Sequence, residues 1–164
     1  MPIRPLLEED IAALGKILEA TEVFSSEEVD VATEMMNDAA VEGGDEDYAM
    51  FTYVDESGTV RGYYCVGPVS FSTTTFDLYW IATDPAVHGQ GIGKKLIMHC
   101  EEYVRGNNGM KIVAETSSRS AYEGTRKFYE RCGFSEEARI RNYYRQGDDL
   151  VVYTKTVIAE PLTK

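Results

Sequence analysis

Histidine, cysteine, long apolar runs and positive charge are all scarce in this chain, and each scarcity removes a class of function. His88 and His99 are its two histidines, and standing alone they offer no metal-ligand spacing. The three cysteines, Cys65, Cys100 and Cys132, are an odd number without a C-x-x-C pair. They read as reduced, packed thiols of a cytoplasmic protein and not as a disulfide framework. No stretch approaches the ~18 consecutive apolar residues that a membrane span needs. The start, Met1-Pro2-Ile3-Arg4 leading into Glu8-Glu9-Asp10, lacks the apolar segment of a signal peptide. Lys and Arg number 16 against 28 Asp and Glu, a net charge of −12. Such a chain repels polyanions, which argues against nucleic acid as a partner. The same field favours cationic substrates such as amines, although it also simply keeps a protein soluble.

What is present fits one compact domain over residues 1–164, with 43% apolar residues. A short edge strand is expected at 3–5, followed by a helix carrying Ile11, Leu14, Ile17 and Leu18 at helical spacing. Ser25 and Glu28 form a capping-box signature ahead of a second helix with Val29, Ala32, Met35, Met36 and Ala39 inward. Residues 42–47 read as a loop whose carboxylates are solvated, since they lack metal-ligand spacing. Two strands at 48–54 and 60–66 meet in a hairpin at Asp55-Glu56-Ser57-Gly58. Residues 76–83 alternate, with Phe76, Leu78, Trp80 and Ala82 on one side and Asp77, Tyr79, Ile81 and Thr83 on the other. A helix is expected over 91–105, with Ile92, Leu96, Cys100, Tyr103 and Val104 inward and Asn107-Asn108-Gly109 closing it. There follow a buried strand at 111–116, a helix at 121–132 ended by Gly133, and strands near 140–145 and 150–157 around Gly147-Asp148-Asp149. This order predicts an α/β fold, a mixed sheet covered by helices on its faces.

The residues His88-Gly89-Gln90-Gly91-Ile92-Gly93-Lys94 lie between a strand and a helix. Glycines there let successive backbone N–H groups converge at a positive helix end, a place suited to phosphate. A dinucleotide fingerprint fails, because the third glycine position falls on Lys94 or Leu96. A P-loop fails too, because it would need glycine at His88 and a hydroxyl residue at Lys95. A purely structural glycine turn stays open at this point.

The same segment resembles the signature of the GNAT superfamily of acyl-CoA-dependent N-acetyltransferases: Gln or Arg, two residues, Gly, one residue, then Gly or Ala, opening a helix after a strand. His88 stands where Gln or Arg is usual. Further on, Glu115-Thr116-Ser117-Ser118 precedes Tyr122, Thr125, Phe128, Tyr129 and Gly133-Phe134, similar to the superfamily's second mark; many members carry Asn and Ala where Tyr122 and Thr125 stand. The segment Ile140-Arg141-Asn142-Tyr143-Tyr144 also resembles bacterial N-terminal acetylases of ribosomal proteins. The resemblance implies one domain with a mixed, mostly antiparallel sheet of six to seven strands and helices on both faces. It implies acetyl-CoA as co-substrate, without a metal, and an amine acceptor on a small molecule, peptide or protein. His88, Gly89, Gln90, Gly91, Ile92, Gly93 and Lys94 would hold the pyrophosphate, Ile81, Ala82 and Thr83 would pair their backbone with the pantetheine arm, and Tyr122 would lie on the cofactor. Homodimerisation is left open.

The chemistry sets further demands. A lysine amine of pKa ~10.4 is mostly protonated at pH 7, a handicap of roughly 4.6 kcal/mol, against about 1.1 kcal/mol for an α-amine near ~7.8. A base is therefore expected. Glu115, whose position resembles that of the base in the ribosomal-protein acetylases, is the first candidate and Asp77 the second; salt-bridged or solvated roles compete. Trp80, Tyr143 and Tyr144 are candidates for lining the acceptor cleft. Tyr129, where the superfamily carries its catalytic tyrosine, is the expected general acid, with a core aromatic role as the competing reading. A CoA-binding sensor or scaffold without turnover is the alternative function.

Overall fold

The structure, a computed structural model, describes residues 2–41 and 47–157. Its elements are β1 (Ile3–Pro5), α1 (Ile11–Ala20), α2 (Ser26–Val41), β2 (Ala49–Val54), β3 (Val60–Pro68), β4 (Thr75–Thr83), α3 (Ile92–Gly106), β5 (Lys111–Ser117), α4 (Glu123–Arg131), β6 (Ser135–Arg145) and β7 (Asp148–Thr156). The strands form a seven-stranded mixed sheet in the order β1-β2-β3-β4-β5-β7-β6. β4 and β5 pair in parallel, whereas β1 with β2, β2 with β3, and β7 with both β5 and β6 pair antiparallel. The expected α/β class and strand number are those the chain adopts. Two compact units are distinguished, Met1–Gly67 with Tyr79–Cys100, and Pro68–Leu78 with Glu101–Lys164.

In the first unit, the capping box expected from Ser25 and Glu28 starts α2. The Glu28 N–H donates to Ser25 Oγ at 3.1 Å, and the Ser25 N–H donates to a Glu28 carboxylate oxygen at 3.0 Å. Two orphan donors of the helix start are thereby satisfied. Leu14, Leu18, Ala32 and Met36 of α1 and α2 pack with Met50, Tyr63, Cys65 and Ala82 in one core. Alternate residues of β2 and β3 point the other way, as the two-residue period demands. There the Phe51 ring lies 4.8 Å from that of His99 in α3, and the Tyr64 hydroxyl and His99 Nδ1 are 2.7 Å apart. Helices therefore cover both faces of the sheet within this unit. At Gly62 a Cβ would come 2.7 Å from the Ala82 carbonyl oxygen, so only glycine lets β3 approach β4 this closely at residues 82–83.

In the second unit, β5 runs between β4 and β7, and Ala114 lies opposite Tyr153. The Tyr153 ring packs 5.7 Å from that of Tyr129 in α4, and its hydroxyl donates to Glu130 at 3.1 Å. Ala114 and Tyr153 thus face α4. Lys155 of β7 ties Glu101 of α3 at 3.0 Å to the Cys132 carbonyl at 2.7 Å.

Three expectations change in detail. The sixth strand begins at Ser135, not near 140, because its charged start Ser135-Glu136-Glu137 belongs to an edge strand exposed along its whole length. The helix expected over 121–132 opens with a 3-10 turn, Ser120–Tyr122, and its α-helical part ends at Arg131. The alternation in β4 holds through Leu78 and then breaks, with Tyr79 exposed and Trp80 and Ile81 half-buried. The acidic loop at 42–47 lies outside the described residues apart from Asp47.

Candidate active site

The glycine turn ends β4 and opens α3. Asp84 accepts from the Ala86 N–H at 3.0 Å, starting the 3-10 turn Pro85–Val87, and His88 closes that turn. Arg61 of β3 braces the approach by ion pairs of 2.8 Å to both Asp55 and Asp84. The Ala86 N–H and Arg61 together hold the Asp84 carboxyl below the usual range, and Arg61 does the same, more strongly, to Asp55. This brace was not anticipated from the sequence, although an arginine beside a glycine in an otherwise apolar strand is a visible signal.

Gly89 and Gly91 have φ of +84° and +79°, a region that residues with a Cβ enter at a cost. A Cβ at either would meet no atom within 4 Å, so their demand for glycine is conformational and the space over the turn is open. His88, Gln90 and Lys94 are exposed, whereas Ile92 is buried and anchors the helix start. The first helical hydrogen bond runs from the Lys95 N–H to the Gly91 carbonyl at 3.1 Å. The N–H groups before Lys95 therefore have no intrahelical acceptor, which suits them to an anion. Ile81, Ala82 and Thr83 lie at the end of β4 just before this turn, with Ala82 buried and the other two half-buried.

The second unit carries the candidates for proton transfer. Asp77 lies opposite Val113 in the parallel β4–β5 register, so it shares a face with Val113 and Glu115. That face is the one α4 does not cover. Asp77 is half-buried and Glu115 exposed. Burial, and secondarily the charge on Glu115, push the Asp77 carboxyl above its ordinary value. Tyr144 is pushed up to about 12, by burial first and then by the Glu115 charge. Glu115, Asp77 and Tyr144 are thus brought together.

Tyr129 is placed differently. It is 5% exposed, with its ring 5.3 Å from that of Phe134 and 5.7 Å from that of Tyr153. It belongs to the face that α4 covers, opposite the two carboxylates. Tyr122, 9% exposed, ends the 3-10 turn before α4, with the Arg119 guanidinium 5.5 Å from its ring centre. Trp80 lies in the first unit, 5.4 Å from Phe24.

The β6–β7 hairpin is irregular next to these residues. Ile140 pairs with Leu150 and Arg145 with Asp148, so residues 141–144 stand opposite Asp149 alone. Asn142 takes φ of +55°; its N–H donates to Asp149 at 3.0 Å, and its side-chain oxygen accepts from the Gly147 N–H at 2.8 Å. Asp149 is further tied to Ser118, whose Oγ accepts from the Asp149 N–H at 2.8 Å. The buried Asp148 accepts from Ser117 Oγ and pairs with Arg119 at 3.3 Å. Arg126 donates to the carbonyls of Ser117 and Arg119 at 2.7 and 2.8 Å. The end of β5 and the bulge bearing Tyr143 and Tyr144 are in this way bound into one network. An Asn directly before a tyrosine pair, with a Gly-Asp-Asp turn five residues on, is the trace of it in the sequence, Asn being tolerant of positive φ.

No group of three or more His, Cys, Asp or Glu arranged to hold a metal occurs among the described residues, and none of their helices is long and apolar enough to cross a membrane.

Residues 13–134 match the model of the acetyltransferase (GNAT) family. No curated protein matches the chain in sequence. Among solved structures, a protein assigned to the GNAT acetyltransferase family from Desulfovibrio desulfuricans superposes with a TM-score of 0.90 at 36% identity, over 95% of this chain and 98% of that one. An aminoglycoside 6′-N-acetyltransferase complexed with coenzyme A gives 0.76 at 19% identity, over 98% and 99% of the two chains. The ribosomal-protein-S18-alanine N-acetyltransferase of Escherichia coli gives 0.73 at 22% identity, over 99% and 98%. The last two likenesses concern the fold. On the family match and the 36% identity, this chain belongs to the GNAT family of acetyltransferases, whose members draw their acetyl group from acetyl-CoA.

Proposed function

We propose that this chain moves the acetyl group of acetyl-CoA directly onto a primary amine of a cationic acceptor. The observation that carries this reading is the glycine turn, where two positive-φ glycines open unobstructed space at the start of a 15-residue helix. The N–H groups of residues 89–94 would hold the CoA pyrophosphate, and the backbone of Ile81, Ala82 and Thr83 would pair with the pantetheine arm. One domain over 1–164 would perform the reaction; the family match, which includes residues of both compact units, supports this.

Glu115, or else Asp77, would accept the proton that an ammonium must lose before its nitrogen can attack. Tyr129 would give a proton to the departing sulfur; a phenol is protonated at pH 7 and can donate without first being charged. The two roles concern different atoms, nitrogen and sulfur, so they do not require one face of the sheet. Tyr122 would pack on the cofactor.

The charge distribution supports a cationic acceptor. Residues 1–47 hold fourteen Asp and Glu against Arg4 and Lys16, which accounts for the entire −12, and residues 48–164 are neutral. α2 contains no Lys or Arg, while Glu27, Asp30, Glu34 and Asp38 are exposed along it. Such a field raises the local concentration of cations. The buried free thiol of Cys65 supports a reducing compartment such as the cytoplasm.

A panel of primary amines (free amino acids, lysine and α-amine peptides, polyamines and aminoglycosides), offered with acetyl-CoA while CoA thiol release is followed, tests the reading. Release stimulated by a cationic amine is the expected result. CoA binding without release in the presence of any amine would make the chain a CoA-binding module instead.

A further inference from the structure

The two carboxylates of the second unit were expected as alternatives, one base or the other. Their placement argues otherwise. Asp77 registers with Val113 on the neighbouring parallel strand, and Glu115 is two residues further along the same face. Asp77–Val113 is the last pair of the β4–β5 ladder, and Glu115, one pleat beyond on the same face, is near enough for its charge to act on the Asp77 carboxyl. Neither carboxylate has a cation or a hydrogen-bond donor among the described residues. This is unusual here, since the nearby acids Asp148 and Asp149 are both engaged, by Ser117 and Arg119 and by Asn142 and Arg139 respectively. Tyr144, with Tyr143 and Tyr122 about it, carries no positive charge; Arg119 is committed to Asp148 and the Tyr122 ring, and Lys111, two residues before Val113 on the same face, pairs with Glu137 at 3.9 Å.

We propose that Asp77 and Glu115 act as one proton-accepting unit, so that the pair, and not either carboxylate alone, receives the proton of the acceptor ammonium. This rests on the acetyltransferase reading above. Two like charges without a counterion bind one proton more readily than a lone carboxylate does, because the first proton relieves their repulsion. The Asp77 carboxyl, raised first by burial and then by the Glu115 charge, agrees. The ammonium gives one proton to the pair, which passes from two negative charges to one. The freed nitrogen lone pair forms the N–C bond at the thioester carbon, and the C–S bond breaks with its electrons on sulfur. The second proton leaving nitrogen is matched by the one that sulfur gains, by way of Tyr129 in the role proposed for it. The pair then releases its proton to water, and one proton per turnover appears in solution.

Carbon-detected NMR titration of the Asp77 carboxyl in the free protein tests the coupling without relying on activity. In the wild type it should titrate above the ordinary carboxyl range, and in Glu115→Gln it should fall toward that range. An Asp77 titration unmoved by Glu115→Gln would overturn the pair. Kinetics with the best acceptor of the amine panel give the second arm. Asp77→Asn and Glu115→Gln should each lower kcat/KM by about 10–100-fold, within or below the range for a general base. The double variant should lose no more than about threefold beyond the worse single one, as residues acting as a unit do. Losses that multiply would mean independent groups and sink the proposal. Failure of every amine to be acetylated would instead count against the parent reading, while the titration still decides the coupling.

Discussion

Gly91→Ala isolates the conformational demand of the glycine turn. At φ +79° with no atom within 4 Å of the added Cβ, the substitution creates no clash. Its folding cost comes from the left-handed backbone alone, about 1–2 kcal/mol for a residue with a Cβ. The reduced freedom of the unfolded chain returns about 0.4–1 kcal/mol. The net loss is then at most about 1.5 kcal/mol, a few degrees in Tm for a chain of this length. The effect on CoA should be larger. Escape from positive φ turns a backbone N–H away from the pyrophosphate, and one charge-assisted hydrogen bond is worth about 1.5–3 kcal/mol, roughly 10–150-fold in Kd. Gly58→Ala is the matched control, since Gly58 has φ +83° and equally open space but sits in the β2–β3 hairpin turn. Calorimetric titration with CoA should show weakened binding in Gly91→Ala and unchanged binding in Gly58→Ala, with similar small drops in Tm. Equal, unchanged CoA affinities in the two variants would refute the cradle.

Three other outcomes are expected. Tyr129→Phe keeps the ring against Phe134 and Tyr153 and should hold CoA affinity while turnover falls by roughly 10–10³-fold; wild-type turnover with chemistry rate-limiting would remove Tyr129 from the mechanism. The buried Asp10 is held below the usual carboxyl range despite its desolvation, mainly by the Arg4 guanidinium at 2.7 Å. Its contribution to stability is present in full above the unfolded pKa near ~3.9 and is lost as pH falls through the lower folded value. Asp10→Asn should therefore destabilise by on the order of 2–3 kcal/mol at pH 7, and in denaturant unfolding this gap should shrink in acid; a gap independent of pH would contradict it. If the acidic N-terminal third steers a cationic acceptor, its KM should rise several-fold between ~0.01 and ~0.15 M salt, as the Debye length contracts from ~30 to ~8 Å, whereas a flat KM would leave the charge a matter of solubility.

Much of the architecture was legible because it rests on local rules. Ser25 and Glu28 announce α2 through a capping box that forms as read, and Asp55-Glu56-Ser57-Gly58 does turn the β2–β3 hairpin. The glycine spacing at 89–93 placed the start of α3 within a residue. What escaped depends on partners distant in sequence. Ser135-Glu136-Glu137 carries no strand signal because an edge strand needs no apolar face. Arg61 acquires its role only when Asp55 and Asp84, on separate segments, come within 2.8 Å of it. Asp77 and Glu115 are 38 positions apart, and the parallel register alone makes them neighbours. Tyr129 shows the opposite difficulty, because its burial among aromatic rings suits a core residue as well as a proton donor.

A single-turnover experiment with radiolabelled acetyl-CoA addresses direct transfer most plainly. Enzyme in excess is mixed with labelled donor and the best acceptor of the panel, quenched over milliseconds to seconds, and the protein is separated from small molecules. Direct attack predicts that label passes from CoA to the amine at the rate of thiol release, with none retained on the protein at any time. Label accumulating on the protein before it reaches the amine, for instance on Cys132, would contradict direct transfer and put a covalent acyl-enzyme in its place.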